Sequence, residues 1–154
     1  MSPLNHIPTI LLVEDNDDDV FFMRHALQKA KVGLPVQVVP NGQAALDYLS
    51  GEGKYADREK YPLPTLIFLD LKMPYVNGFE VLAWMQRQVF TPEIQVVVLT
   101  SSPEDRDRQR AKELGARAYL VKPPTEEMIL QTMHFIMVRP ILVPAREVLE
   151  ARAA

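Results

Sequence analysis

The sequence predicts a doubly wound α/β fold: a five-stranded parallel sheet with helices on both faces. Two observations predict it. Five short apolar runs rich in β-branched residues recur along the chain, and three are nearly continuous rather than alternating, as strands covered on both faces should be. Segments with a helical apolar stripe lie between them, and right-handed crossovers leave such helices on both faces of a parallel sheet.

The first strand is read at 9–13 (TILLV), followed by a helix over 18–30 whose stripe is Val20, Phe21, Met23, Ala26 and Leu27. The second strand, 34–39 (LPVQVV), leads to a helix over 42–49 with Ala44, Ala45, Tyr48 and Leu49. The third, 65–69 (TLIFL), precedes a helix over 78–88 carrying Phe79, Leu82, Ala83 and Met85. After the fourth strand, 94–99 (IQVVVL), Ser102 is expected to cap a helix with Pro103 in its first position and Glu104 and Asp105 at the positive end of its dipole. Gly115 is expected to stop that helix, because glycine accepts a left-handed cap at little cost. The fifth strand, 116–121 (ARAYLV), leads to a helix starting near Thr125 with Glu126 and Glu127 in its first turn.

Two stretches depart from the pattern. Residues 51–64 (GEGKYADREKYPLP) are polar, show no period and are long for a connection, so they are expected to form a surface excursion. Beyond the fifth helix, Phe135, Ile136, Met137, Val138, Ile141, Leu142 and Val143 are too continuous for a solvated helix face, and Pro140 and Pro144 would interrupt it. This tail either folds back over the domain or pairs with another protein, the reading favoured for exposed apolar surface. The expected division is an arm at 1–8, one domain at 9–138 and an extension at 139–154.

Composition narrows the function. The chain of 154 residues is 47% apolar, enough for one domain with a proper core but not for two. Seventeen basic against 20 acidic residues give a net charge of −3, so nothing global favours nucleic acid or an anionic membrane. Arg106, Arg108 and Arg110, alternating with Asp105 and Asp107, are expected to form a solvated face. Without cysteine there is no disulfide, thiolate or sulfur-ligated metal site. His6, His25 and His134 lie far apart and are expected to be ordinary surface or partly packed residues. No signal core or membrane-length apolar run is present, so a cytoplasmic protein is expected.

In such a sheet ligands bind at the carboxyl edge, which makes the residues after each strand the ones to inspect. Glu14 and Asp15 follow the first strand, Asp70 the third, Thr100 the fourth and Lys122 the fifth. Three converging acids repel one another unless one is protonated or a hard divalent cation such as Mg2+ joins them. With that metal drawing charge from a phosphate donor, Asp70 can attack phosphorus to form an acyl phosphate, with Thr100 and Lys122 placed to bind its oxygens. Asp17, Asp18 and Asp19 sit where the first helix begins, and first-turn dipole charge accounts for them at least as well as a role in the site.

On these residues the sequence resembles the receiver domains of two-component response regulators. The matching stretches are LLVEDNDDD (11–19), LIFLDLKMPYVNGFEVL (66–82), VVVLTSS (96–102) and LGARAYLVKP (114–123), with the pattern D-x-x-M-P-x-x-x-G the most specific. The resemblance implies a flavodoxin-like sheet of order 2-1-3-4-5. It also implies that Asp70 is the phosphoacceptor, with Asp15 a direct Mg2+ ligand, Glu14 its partner acid and Lys72 a ligand through its backbone carbonyl. Thr100 would be the switch hydroxyl, Tyr119 the switch aromatic and Lys122 the phosphate-pairing lysine, joined to Pro123 by a cis peptide. Glu14 departs from the aspartate found there in many members.

The implied function is phosphoryl acceptance from a histidine kinase, with self-catalysed acceptance and dephosphorylation rather than turnover of a separate substrate. After Lys122 too little chain remains for a DNA-binding module, so the output is expected to be a protein contact. The excursion and the apolar tail resemble the single-domain regulators of cyanobacterial and other bacterial phytochromes, which implies a phytochrome kinase as partner and a homodimer. A haloacid-dehalogenase-type phosphatase would need an acid where Lys72 stands. A pseudo-receiver, binding partners without phosphorylation, would have lost one of the key residues. A flavodoxin-like cofactor binder would have its flavin phosphate repelled by residues 14–19.

Overall fold

The computed structural model describes residues 8–137. The elements run β1 (Ile10–Val13), α1 (Asp17–Lys29), β2 (Val36–Val39), α2 (Gly42–Ser50), β3 (Leu66–Leu69), α3 (Gly78–Gln86), β4 (Gln95–Thr100), α4 (Asp105–Glu113), β5 (Ala118–Val121) and α5 (Glu126–Met137). Every strand pairing is parallel and the order is β2-β1-β3-β4-β5, the doubly wound arrangement expected from sequence. The strands begin later than the apolar runs because the first residues of those runs pair differently. Thr9 donates its N–H to the Thr65 hydroxyl rather than to a ladder, and Pro35 has no N–H to give.

Alternation along each strand fills two cores. Leu11, Val13, Ile67, Leu69, Val96, Val98 and Tyr119 pack with α2, α3 and α4 on one face, while Ile10, Leu12, Leu66, Phe68, Val97, Leu99 and Leu120 pack with α1 and α5 on the other. Both sides of β1, β3 and β4 are therefore apolar, which is why their sequences read as continuous rather than alternating. On α1 only Met23, Ala26 and Leu27 are buried; Phe21, assigned above to the stripe, is 64% exposed and stacks on the exposed His25. Its position lies between the inward turns of the helix, so periodicity placed it on the wrong face.

The excursion at 51–64 is better built than its composition indicates. It contains a single 3-10 turn, Gly53–Ala56, and Tyr55 packs tilted on Tyr48 of α2 while Tyr61 meets both rings edge-on. Arg58 turns back to donate to the carbonyls of Tyr48 (2.7 Å), which also accepts from the Gly51 N–H, and of Leu49 (2.9 Å) in the last turn of α2. A cap delivered from nine or ten residues downstream leaves no periodic trace in the sequence.

The start of α4 also differs from expectation. Glu104, with no side-chain cap bond, precedes the helix, and Pro103 lies outside it. Ser102 is instead buried in the β4–α4 loop, where its hydroxyl donates to Asp107 (2.7 Å) and its carbonyl accepts from Tyr119 Oη (2.8 Å). Gly115, at φ +99°, ends the helix as expected. Nor do the α4 arginines form a plain solvated face: Arg106 pairs with Glu104, but Arg108 lies over the Tyr119 ring and Arg110 over Phe79.

Two of the sequence expectations, the arm at its residues 1–7 and the extension with Val138, Ile141, Leu142 and Val143, fall outside the described residues, as does His6. Phe135 is buried and Ile136 packs on the α1–α5 core. Among the described residues no helix is long and apolar enough to cross a membrane.

Candidate functional site

The carboxyl edge of the sheet gathers the acids. Glu14 follows β1 and is buried, its backbone N–H bonded to Val39 of β2; Asp15 beside it is exposed; Asp70 follows β3, buried, with its N–H on Val13. One carboxylate oxygen from each lies within 4.8 Å of the others, a spacing that fits a hard divalent cation with oxygen ligands. Lys72 is the second residue of the β3–α3 loop after Asp70, and its N–H donates to Asp70 Oδ1 (3.3 Å).

That loop is held from two sides by glycines. A Cβ on Gly78, the first residue of α3, would stand 2.8 Å from Leu71 Cα and closer still to the Asp70 carbonyl oxygen. A Cβ on Gly42, the first residue of α2, would stand 2.8 Å from the Val76 carbonyl carbon and closer to its oxygen. The glycine in D-x-x-M-P-x-x-x-G is thus fixed by backbone against backbone. Gly78→Ala should destabilise the protein by about 2–3 kcal/mol in urea denaturation and weaken Mg2+ binding with it, because only movement of the Asp70 segment relieves the clash.

Lys122 completes the cluster. Its N–H bonds to Thr100 O (2.8 Å), its peptide with Pro123 is cis, and its ammonium stands 2.6 Å from Glu14, 2.9 Å from Asp19 and 3.5 Å from Asp70. The sequence left Asp19 open between helix-dipole charge and a role in the site; the structure brings it to Lys122. Asn16 caps α1 by accepting from the Asp19 N–H (3.0 Å), and a helical side chain there leans back over the sheet edge. The sequence signal was available: an acid at the third position after an N-cap that itself follows a strand.

Electrostatics inside the cluster are short of positive charge. Burial pushes the Glu14 carboxyl from its ordinary 4.5 up to about 7, against the bond from Lys122 and with the help of the Asp70 charge. Burial draws Lys122 down, but bonds to Glu14 and Asp19 and the charge of Asp70 outweigh it and hold the ammonium above its usual range. One ammonium shared among three carboxylates cannot return to Glu14 what leaving water removes.

Because folding raises the Glu14 pKa, the stability it confers is complete below about 4.5 and drains as pH rises through about 7. Glu14→Gln should therefore gain on wild type by about 2–3 kcal/mol between pH 5 and pH 8 in urea titrations run with a chelator. An unchanged difference between the two pH values would contradict the assignment.

Thr100 and Tyr119 lie behind the acids. Tyr119 pairs with Val98 in the β4–β5 register, and Thr100, two residues on from Val98, points to the same face. Both are fully buried; Thr100 Oγ1 accepts from the Ser102 N–H (3.4 Å), so the hydroxyl, the loop and the aromatic ring form one packed unit.

Residues 10–134 match the family model of the response regulator receiver domain. The chain belongs to that family. Among curated relatives, "Probable methanogenesis regulatory protein FilR2" of Methanothrix harundinacea is 36% identical over 130 residues, 82% of this chain and 79% of that protein. Response regulator Rcp1 of Synechocystis sp. is 36% identical over 113 residues, 73% of this chain and 75% of Rcp1. The structure of its Mn2+-bound form has a TM-score of 0.68 at 32% identity, covering 84% of this chain and 91% of that one. Bacteriophytochrome response regulator RtBRR has a TM-score of 0.77 at 40% identity, covering 87% of this chain and 80% of its own. Seen as a receiver domain, the molecule unites Glu14, Asp15, Asp70 and Lys122 at the sheet edge, packs Thr100 and Tyr119 behind them, and adds Asp19.

Proposed function

We propose that this receiver domain accepts a phosphoryl group on Asp70 from the phosphohistidine of a histidine kinase, with Mg2+, and signals through a protein contact. The observation that carries the reading is the acid trio beside one lysine: buried Asp70 is positioned with buried Glu14 and exposed Asp15 for a cation and with an ammonium 3.5 Å away. Glu14, Asp15, Asp70 and the Lys72 backbone carbonyl would hold the metal, and the raised Glu14 pKa marks a donor set that a divalent cation suits. Bound there, Mg2+ supplies charge neutralisation at the phosphoryl oxygens.

The rest falls to the chain. An Asp70 carboxylate oxygen attacks phosphorus in line, the P–N bond to the kinase histidine breaks, and the imidazole leaves with the electron pair as the Asp70 acyl phosphate forms. Lys122 and the Thr100 hydroxyl bind the phosphoryl oxygens. Drawing Thr100 toward the new group shifts the β4–α4 loop, and with it the Ser102 carbonyl that holds Tyr119. The message is a change in the population of two packings at the surface made by α4, β5 and α5. Water later hydrolyses the acyl phosphate; no separate substrate is turned over.

The similarity to phytochrome response regulators supports a phytochrome kinase as phosphodonor, a cytoplasmic setting and a homodimer as the signalling form. Incubation with Mg2+ and a small acyl-phosphate donor should add one phosphoryl group by intact mass, and chelation should prevent it. Phosphotransfer profiling with kinases of phytochrome and other types should favour the phytochrome class, and light scattering should return a dimer. A wild-type mass unchanged by the donor would overturn the function; a strict monomer with and without phosphate would overturn the dimer.

A further inference from the structure

Of the three carboxylates around Lys122, Asp19 alone stands outside the acid trio. Glu14 and Asp70 have their places with the metal and the phosphoryl group, whereas Asp19 sits on α1, one-third exposed, bonded to Lys122 Nζ at 2.9 Å while Asp70 waits at 3.5 Å. Both partners are fixed at the backbone: the Asp19 N–H donates to the Asn16 cap, and the Lys122 N–H to the end of β4. The lysine side chain, held by Glu14 at 2.6 Å, is therefore the part that can swing between Asp19 and Asp70.

Given phosphorylation at Asp70 as read above, we propose that Asp19 is a positioning residue that holds Lys122 back from the phosphoryl site. Phosphoryl oxygens and Asp19 then compete for one ammonium, and Asp19 sets how firmly the domain binds the group on Asp70. A purely structural Asp19 would weaken the site when lost. A competitor does the opposite.

The test titrates beryllium fluoride, a non-covalent stand-in for the phosphoryl group, at saturating Mg2+ and follows it by fluorine NMR. Asp19→Asn should bind it about fivefold tighter than wild type, the scale of one partly exposed ion pair. Asp18→Asn, which neutralises an exposed neighbour in the same helical turn, should change affinity by less than about twofold. In a Lys122→Gln background Asp19→Asn should lose its effect, because the competition needs the ammonium. Unchanged or weaker binding in Asp19→Asn overturns the role. Equal tightening by Asp18→Asn, or persistence of the effect without Lys122, overturns it in favour of bare charge. If the Lys122→Gln background binds too weakly to titrate, the Asp18→Asn comparison decides. A wild type that binds no beryllium fluoride fails the phosphorylation reading itself.

Discussion

Replacing Asp70 with asparagine should leave a folded, somewhat more stable protein that takes up no phosphoryl group. A carboxamide oxygen is too weak a nucleophile to form the acyl bond, so uptake from an acyl-phosphate donor should fall below detection by intact mass. Stability should move the other way. The Asp70 charge is one of the influences that raise the Glu14 pKa, and Asp70 is itself buried. Neutralising it relieves repulsion within the cluster, and Asp70→Asn should gain about 1 kcal/mol at pH 8 in urea titrations with a chelator. Loss of phosphorylation together with loss of stability would show that Asp70 holds the fold together rather than being tolerated there for chemistry.

Replacing Lys122 with alanine is the second large effect. The Lys122 side chain is 11% exposed and its ammonium serves Glu14, Asp19 and Asp70 at once, so its removal strands the buried carboxylates of Glu14 and Asp70 without a counter-charge. A loss of about 3 kcal/mol is expected at pH 8 in the presence of chelator, the scale for breaking a buried pair from one side. The sign with pH is fixed by the carboxylates. Lys122 is held above its ordinary range, so its contribution is complete well below that range and does not change between pH 5 and pH 8. Glu14, at about 7, takes up a proton on the way down, and the penalty for Lys122→Ala should shrink at pH 5. On the proposed function Lys122 binds the group being transferred, so phosphoryl uptake should fall steeply at both pH values. Equal penalties at the two pH values would mean that Glu14 is not the group titrating against Lys122.

The parts of the fold that are repeated in the chain's own chemistry were legible in the sequence. Short continuous runs such as TLIFL, too brief for a helix, fit strands covered twice, and residues directly after them meet at the carboxyl edge, which is why Glu14, Asp15, Asp70, Thr100 and Lys122 could be grouped from sequence. What escaped depends on contacts between segments distant along the chain. Arg58 capping α2, Arg108 seated on Tyr119 and Ser102 bonded to Asp107 and Tyr119 in the β4–α4 loop obey no local period. Asp19 stayed undecided for another reason: one position satisfied two roles, and the local one, charge at a helix start, explained it equally well. Phe21 shows the limit of the apolar stripe as a guide, since a large hydrophobic residue on an exposed face reads like one in the core.

The account stands on a covalent bond at one residue. Treating the wild-type protein with Mg2+ and an acyl-phosphate donor, trapping the acyl phosphate by borohydride reduction and mapping the product by peptide mass spectrometry tests it directly. An acyl phosphate on Asp70 gives reduction at Asp70 alone, absent with chelator and absent in Asp70→Asn. Reduction at Glu14, Asp15 or Asp19 instead, or no reducible adduct under conditions where the protein is folded and binds Mg2+, would contradict it.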